Sequence, residues 1–294
     1  RVSPEAPVPV VDIAQESSRL GGSANVANNI ISLGGIAHPV GIIGDDYTGK
    51  MLLEMMSSAN FAVEGIIADS NVPTTVKTRV IANNQHVVRI DRENKHTISP
   101  ESHKNMIEYI EKNINSFDAI IFEDYNKGVI TKEVIEKVTK LAAAHSIPIT
   151  VDPKFDNFFE FKKVLVFKPN RKEAEEAIGK KIRNDDELIE AMKSIMNRLD
   201  CDNILLTRGE KGMALLEKSG ELTLINTRAR NVADVSGAGD TVISTLTMSL
   251  VSGASAQESA VISNYAAGIV CEEVGVVPIK KDILLNKILD EISK

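Results

Sequence analysis

The stretch NVADVSGAGDTVIST, residues 231–245, places three small residues, Gly237, Ala238 and Gly239, directly before Asp240. An apolar run follows, and it predicts a helix that begins near Asp240 and buries positions 242, 243, 246 and 250. The N–H groups at the start of such a helix attract anions, and glycine lets an oxyanion approach the backbone closely. Taken alone, the pattern more often marks an acid that caps a helix. The sharper interpretation is a phosphoryl-transfer site in which Asp240 takes a proton from the attacking hydroxyl.

Outward from this stretch, the chain alternates short β-rich segments with helical patterns. Clear strand candidates are IPITVDP (147–153), VLVFKPN (164–170) and NILLTRG (203–209). This alternation predicts an α/β fold with a mostly parallel sheet and helices on both faces. Ligands of such sheets bind outside the carboxyl ends of the strands. The polar residues that end these strands therefore belong to one predicted edge, at 123–124, 152–154, 169–170 and 207–209.

The segment TTVKTRVIANNQHVVRID, residues 74–91, departs from this rhythm. It reads as two alternating strands joined at Asn83-Asn84, a hairpin that we expect to project as a small β lid. We expect one domain over 1–294, with lid strands at about 5–12 and 74–91. Exposed hairpin edges invite pairing with a second lid, which predicts a homodimer.

Composition excludes several classes of protein. The formal net charge of -7 argues against nucleic acid as the main partner. No apolar run is long enough for a membrane-spanning helix, and there is no GxxxxGK[ST] phosphate-binding loop. Cys201 and Cys271 show neither metal-ligand spacing nor a disulfide framework, which favours reduced thiols in a cytoplasmic protein.

Three motifs together resemble the ribokinase-like (PfkB) carbohydrate kinases. DVSGAGDT (234–241) resembles the C-terminal motif of that family, and the glycine pair of GGSANVANNIISLGG (21–35) resembles its N-terminal motif. NRKE, from Asn170 to Glu173, resembles its central Asn-x-x-Glu. The motifs occur in the family's order across almost the whole chain. The resemblance implies a ribokinase-like fold and phosphorylation of a sugar hydroxyl with ATP and Mg²⁺ as cofactors.

The resemblance also implies roles for individual residues. Asp240 would be the base, and Gly237, Ala238 and Gly239 would form the anion hole. Asn170 and Glu173 would position Mg²⁺ and phosphate, partly through water, with Glu173 as the metal contact. The remaining candidates for ATP contact are Thr207, Arg208, Gly209 and, more weakly, Asn264.

Longer segments, among them EDYNKGVIT (123–131) and DPKFDNFFEFKKV (152–164), resemble the branch of the family that acts on D-glycero-D-manno-heptose 7-phosphate. That likeness implies transfer of the γ-phosphate of ATP to O1, a step of ADP-heptose synthesis for lipopolysaccharide. A substrate that already carries a phosphate needs cations around it. The expected sugar-phosphate contacts are Gly21, Gly22, Asn25, Lys77, Arg79, Arg89, Asp152 and Lys154.

Simpler interpretations stay open for several of these residues. The lid cations would equally suit a solvated face, and the glycine pair would suit a helix-entry turn. The family's opening strand, which bears a sugar-binding Asp, has no counterpart before SPEAPVPVV (3–11), and no HxGH nucleotidyltransferase motif occurs. The alternatives to a heptose-phosphate kinase are therefore a kinase for another sugar and a catalytically silent sugar- or nucleotide-sensing protein.

Overall fold

A six-stranded mixed sheet lies at the centre of the computed structural model, which describes residues 5, 10–82, 85–93, 97–229 and 232–293. Four parallel strands come first along the chain, and two antiparallel strands complete one side of the sheet. In chain order they are β5 (Ile120–Glu123), β6 (Ile149–Asp152), β7 (Val166–Phe167), β8 (Asn203–Thr207), β9 (Met213–Glu217) and β10 (Leu222–Ile225). They lie side by side in that same order. The carboxyl ends of β5 to β8 therefore share one edge.

Helices cover both faces of this sheet. The α-helices of the described residues are α1 (Ser23–Ser32), α2 (Tyr47–Ser58), α3 (Pro100–Asn113), α4 (Lys132–Ala144), α5 (Arg171–Ile178), α6 (Asp185–Leu199), α7 (Ala238–Val251), α8 (Ala256–Val270) and α9 (Lys281–Ile292). Alternate residues of a strand point to opposite faces. Ile204 and Leu206 accordingly pack in the core with α3, α4 and α6, whereas Leu205 packs with α1, α7 and α8. The predicted α/β fold with two helical layers is confirmed.

Two smaller sheets accompany the central one. β1 (Gly41–Gly44) pairs in parallel with β2 (Ile66–Asp69) and β3 (Val76–Ala82) pairs antiparallel with β4 (Gln85–Arg92). The second pair is the expected lid hairpin; its predicted turn at Asn83-Asn84 lies outside the described residues. Of the expected lid strand at about 5–12, the described residues, Glu5 and 10–12, form no strand. Residues 6–9 lie outside the described part of the chain.

The sequence did not predict that β1 and β2 would stand apart from the main sheet. Both β1 and β5 line one cavity of about 2330 Å³. Within the described residues, β1 pairs with β2 and β5 pairs with β6, and no strand pairing joins β1 to β5.

Side-chain caps begin most of the surface helices. Ser99, Thr131, Asn184 and Ser255 each accept a hydrogen bond from the backbone N–H three residues further on. Helix α7 differs, because its N-cap is Gly237, which has no side chain to accept such a bond. In the described part of the chain, no helix combines the length and apolarity needed to cross a membrane.

Candidate active site

The residues at the start of α7 are small, and they leave backbone N–H groups uncovered by side chains. Gly237 has φ +82°, a left-handed conformation that favours glycine, and the N–H of Ala238 donates to the carbonyl of Val235 at 3.2 Å. Among the described residues, no backbone acceptor faces the N–H groups of Gly239 and Asp240. These two groups, at the positive end of the helix dipole, can receive an anion. Of the expected anion hole at 237–239, the Ala238 N–H is engaged, whereas no backbone acceptor is found among the described residues for the N–H groups of Gly237 and Gly239.

The Asp240 carboxylate does not cap its helix. Its Oδ2 accepts a hydrogen bond of 2.8 Å from Asn25 Nδ2, and its Oδ1 accepts one of 3.2 Å from the hydroxyl of Tyr125. Burial raises the pKa of Asp240, as does the negative charge of Asp152, while Asn25, Tyr125 and Lys168 oppose the rise. The acid is held beside the anion site by residues from two other parts of the chain.

A buried lysine lies beneath the glycine turn. Lys168 follows β7, and its Nζ lies 2.6 Å from Asp152 Oδ2 at the end of β6. A Cβ added to Gly239 would lie 3.6 Å from Asp152 Oδ2 and 3.7 Å from Lys168 Nζ. The ion pair therefore lies close to the turn, within van der Waals reach of a side chain at 239. Glycine at 239 keeps the space between the turn and the pair open.

Glu123 and Asp124 end the neighbouring strand β5 in different ways. Glu123 Oε2 is buried with no hydrogen-bond partner among the described residues. Burial raises the pKa of Glu123 well above its usual range, and so do the nearby charges of Asp152 and Asp240. Asp124 instead accepts hydrogen bonds from the Asn126 N–H and from Asn157, so it shapes its own loop. Glu123 faces the candidate site, and Asp124 holds the adjacent loop.

Asn170 and Glu173 form a capping box at the start of α5. The Glu173 N–H donates to Asn170 Oδ1 at 2.9 Å, and the Asn170 N–H donates to Glu173 Oε2 at 2.8 Å. The other Glu173 oxygen accepts a hydrogen bond from Lys154. Both oxygens of Glu173 are thus engaged with protein donors. The residues fit Mg²⁺ through water, or by direct ligation once Lys154 moves away.

The candidates for ATP contact lie further along the same edge. Thr207 ends β8 and forms an isolated parallel bridge with Asn170, and Gly209 follows with φ +60°. The guanidinium of Arg208 is already paired with Asp185 at 2.8 Å. Asn264, on α8, is buried and donates to the carbonyl of Asn226 at 2.7 Å. Arg208 and Asn264 therefore each have a structural partner in this state.

The sugar-phosphate candidates divide between the cavity and the sheet edge. Among the residues that line the cavity are Gly21, Gly22, Lys77, Arg79, Arg89, Gly237 and Asp240. Two of its lid cations have acidic neighbours, because Asp91 lies 3.3 Å from Lys77 and 3.0 Å from Arg89. The structure thus brings the glycine pair, the lid and the acid of α7 to one space. Asp152 and Lys154 lie at the sheet edge described above.

A family model decides what kind of protein carries this site. The model described as "pfkB family carbohydrate kinase" matches residues 2–282. The chain belongs to the pfkB family of carbohydrate kinases. This membership confirms the family resemblance drawn from the three motifs.

One relative and two solved structures illustrate what this chain is similar to. One relative, "Bifunctional protein HldE" of Geobacter sulfurreducens, is 40% identical over 275 residues, which cover 94% of this chain and 56% of the relative. The chain thus spans a little over half the length of that relative. Among solved structures, Escherichia coli phosphofructokinase-2 in complex with potassium has a TM-score of 0.78 at 18% identity, covering 93% of this chain and 88% of the other. Arabidopsis thaliana ribokinase complexed with ribose and ATP has a TM-score of 0.76 at 16% identity, covering 95% of this chain and 90% of the other. These likenesses support the kinase fold.

Sequence reasoning missed two residues of this pfkB site. Tyr125 lies within the quoted segment EDYNKGVIT, but nothing in the sequence relates it to Asp240, which lies 115 positions away. Lys168 directly precedes Pro169 and Asn170, so its position at the polar end of a strand could have identified it as a candidate site residue. A lysine in that position is usually solvated, and only the fold shows that this one is buried.

Proposed function

We propose that this chain is an ATP-dependent sugar-phosphate kinase. One observation carries the proposal: a carboxylate at the start of α7 is held by Asn25 and Tyr125 beside two backbone N–H groups that lack an acceptor in the described structure. Phosphoryl transfer needs chiefly positioning and stabilisation of negative charge, and this arrangement supplies both. The family membership of the chain supports the same reaction class.

In this reaction Asp240 accepts the proton of the attacking sugar hydroxyl. The N–H groups of Gly239 and Asp240 bind the oxygens of the transferred phosphoryl group, where the helix dipole favours negative charge. Lys168 contributes a buried positive charge immediately beneath that group. As the hydroxyl oxygen bonds to the γ-phosphorus, the bond to the leaving oxygen of ADP breaks. The proton stays on Asp240 until products leave.

We assign Glu173, with Asn170, to the support of Mg²⁺ through water. Bound Mg²⁺ would neutralise charge on the phosphates of ATP. Lys154 shares the Glu173 carboxylate and lies at the same strand edge, so it can contact the phosphates as well. Thr207 and Gly209 would line the nucleotide site. Arg208 and Asn264 would contact ATP only by releasing or sharing their present partners.

The substrate that we propose is D-glycero-D-manno-heptose 7-phosphate, phosphorylated on O1 in ADP-heptose synthesis. The sequence resemblance to that branch of the family supports this choice, as do relatives at 40% identity named HldE. The lid contributes Lys77, Arg79 and Arg89 to the cavity that reaches Asp240, and these cations suit a second phosphate. Gly21, Gly22 and Asn25 would meet the sugar hydroxyls.

We also propose that the chain forms a homodimer through its lid and works in the cytoplasm. The lid hairpin carries exposed apolar side chains, among them Val88 and Ile90, which a second lid would cover. The cytoplasm supplies ATP, and the two buried free cysteines stay reduced there.

A screen of ATP consumption tests the proposed activity. We expect the highest kcat/KM with heptose 7-phosphate when it is compared with ribose, fructose and hexose phosphates. Asp240→Asn should lower kcat by about 10²- to 10⁴-fold because the base is lost. Its matched control is Asp282→Asn, which changes an exposed acid in the first turn of α9 and should leave kcat unchanged.

The other outcomes separate the alternatives. Faster turnover of a different sugar would replace the heptose assignment and keep the kinase. Binding of ATP or sugar without turnover of any substrate would support a sensing protein. Near-normal turnover by Asp240→Asn would refute the assignment of the base.

A further inference from the structure

Tyr125 stands out because its hydroxyl reaches the carboxylate to which the proposed function assigns the proton transfer. The hydroxyl donates to Asp240 Oδ1 at 3.2 Å, and Asn25 donates to the other oxygen at 2.8 Å. Asn25 is itself fixed on α1, where it is almost fully buried. Each carboxylate oxygen therefore has one donor, and the two donors come from separate elements. Such a clamp fixes both the position and the rotation of a carboxylate.

Two glycines make room for these donors. A Cβ on Gly22, which has φ +57°, would lie 3.3 Å from Cε2 of the Tyr125 ring. A Cβ on Gly237 would lie 2.9 Å from Asn25 Nδ2, closer than real Cβ atoms come to other atoms. Part of the reason for glycine at 22 and 237 is thus space for the groups that hold Asp240. This adds to the roles of helix entry and anion binding.

The electrostatic surroundings keep Tyr125 in its donating form. Burial raises the pKa of the Tyr125 hydroxyl far above its usual value, and the charges of Glu123, Asp240 and Asp152 add to the rise. The titratable and charged groups that face Asp240 are Glu123 and Tyr125 from the end of β5, Asp152 from β6 and Lys168 from the end of β7. Helix α1 contributes the neutral Asn25. The acids disfavour an ionised Asp240, and the donors favour it.

We infer that Tyr125 is a positioning residue for the proposed base, holding the Asp240 carboxylate ionised and turned toward the acceptor hydroxyl. The inference rests on the proposed function of Asp240 and extends it. Tyr125 acts through Asp240 and not through the sugar. Loss of its hydroxyl removes one donor to the charged carboxylate and leaves Asn25 and the helix in place. The base should then be protonated at a higher pH and be less well oriented for the transfer.

The test compares Tyr125→Phe with the native chain over a range of pH. The phenylalanine ring fills the same space beside Gly22, so only the hydroxyl is lost. We expect the acidic limb of the kcat profile to move up by about one pH unit. The plateau of kcat should fall about tenfold, while KM for the sugar phosphate changes by less than about twofold. The matched control is Tyr109→Phe, which removes a partly buried hydroxyl 3.3 Å from His38 Nδ1, outside the site.

A second measurement does not depend on turnover. Carbon-13 NMR of labelled aspartate carboxyl groups follows the titration of Asp240, and Asp240→Asn identifies its signal. We expect Tyr125→Phe to raise the pKa of Asp240 and Tyr109→Phe to leave it unchanged. If no sugar is phosphorylated by the native chain, the proposed function fails, and this titration alone decides whether Tyr125 holds the carboxylate.

Two results would overturn the inference while the kinase activity stands. In the first, Tyr125→Phe behaves like Tyr109→Phe in both the pH profile and the titration. In the second, KM rises severalfold with no shift in the acidic limb, which would make Tyr125 a contact to the sugar.

Discussion

At the scale of single residues, the ion pair of Lys168 and Asp152 is distinguished by the burial of both side chains. The side chain of Lys168 is 3% exposed and that of Asp152 is 9% exposed, with 2.6 Å between Nζ and Oδ2. A buried charge that loses its partner has a large desolvation penalty, whereas an exposed pair contributes little.

We predict that Lys168→Met lowers the free energy of unfolding by about 3–5 kcal/mol, because Asp152 remains buried without its cation. Urea unfolding measures this loss. The control is Lys77→Met, which breaks exposed ion pairs on the lid and should cost less than about 1 kcal/mol. The double change Lys168→Met with Asp152→Leu should recover much of the loss. Equal effects of Lys168→Met and Lys77→Met would contradict a buried, interdependent pair.

The sequence identified Asp240 but left its role between cap and base. The structure decides the local geometry, because Gly237 occupies the N-cap and the carboxylate turns to Asn25 and Tyr125. Local pattern predicts what a residue does within its own helix. It cannot predict donors that the fold brings from 115 and 215 positions away.

At the scale of elements, the lid hairpin has two chemically different faces. Directly paired residues of an antiparallel ladder share a face, so Thr78 lies with Ile90 and Val80 with Val88. Arg79 and Arg89 pair on the opposite face. Ile90 is 58% exposed, which leaves an apolar surface beside a cationic one. One face suits a second lid, and the other suits a phosphorylated substrate.

We predict that Ile90→Lys converts a lid-paired dimer into a monomer, because the new charge would be buried against the partner's apolar face. Sedimentation at micromolar concentration measures the mass. The control is Leu289→Lys, which adds the same charge at an exposed apolar position of α9 and should leave the dimer intact. A native chain that sediments as a monomer, or an Ile90→Lys dimer, would remove the lid from the interface.

The periodicity of apolar residues predicted single helices and strands better than it predicted which strands belong to one sheet. The apolar positions 242, 243 and 246 became the buried face of α7, and the alternation at 74–91 became the hairpin. The separation of β1 and β2 from the main sheet was not predictable in this way. The pattern of apolar residues in a strand indicates which of its faces is buried. It does not indicate which strand lies at each edge of a sheet.

At the scale of the whole molecule, two groups of acids change the free energy of unfolding in opposite directions as the pH changes. Asp69 is buried and accepts hydrogen bonds from the Asn71 and Ser99 N–H groups and from the Ser102 hydroxyl, which lower its pKa well below the usual range. Hydrogen bonds from the Ile182 N–H and the Lys181 ammonium lower the pKa of Glu175 to about 2. At the active site, burial instead raises the pKa values of Glu123 and Asp240.

We predict that the native chain is most stable on the acidic side of neutrality. An acid whose folded pKa is raised binds more protons when folded, so stability falls as pH rises from its unfolded to its folded pKa. An acid whose folded pKa is lowered stabilises the fold above its unfolded pKa, and for Glu175 that contribution disappears as pH falls from 4.5 to about 2. Urea midpoints should therefore rise as pH falls from neutrality toward the unfolded pKa values of Glu123 and Asp240, and fall again as pH drops from 4.5 to about 2. Asp240→Asn should reduce the rise in urea midpoint below neutral pH and keep the fall at acid pH. Asp69→Asn should reduce the fall at acid pH and keep the rise. If Asp240→Asn leaves the rise in urea midpoint unchanged, the ionised carboxylate of the proposed base does not cause the lower stability near neutral pH.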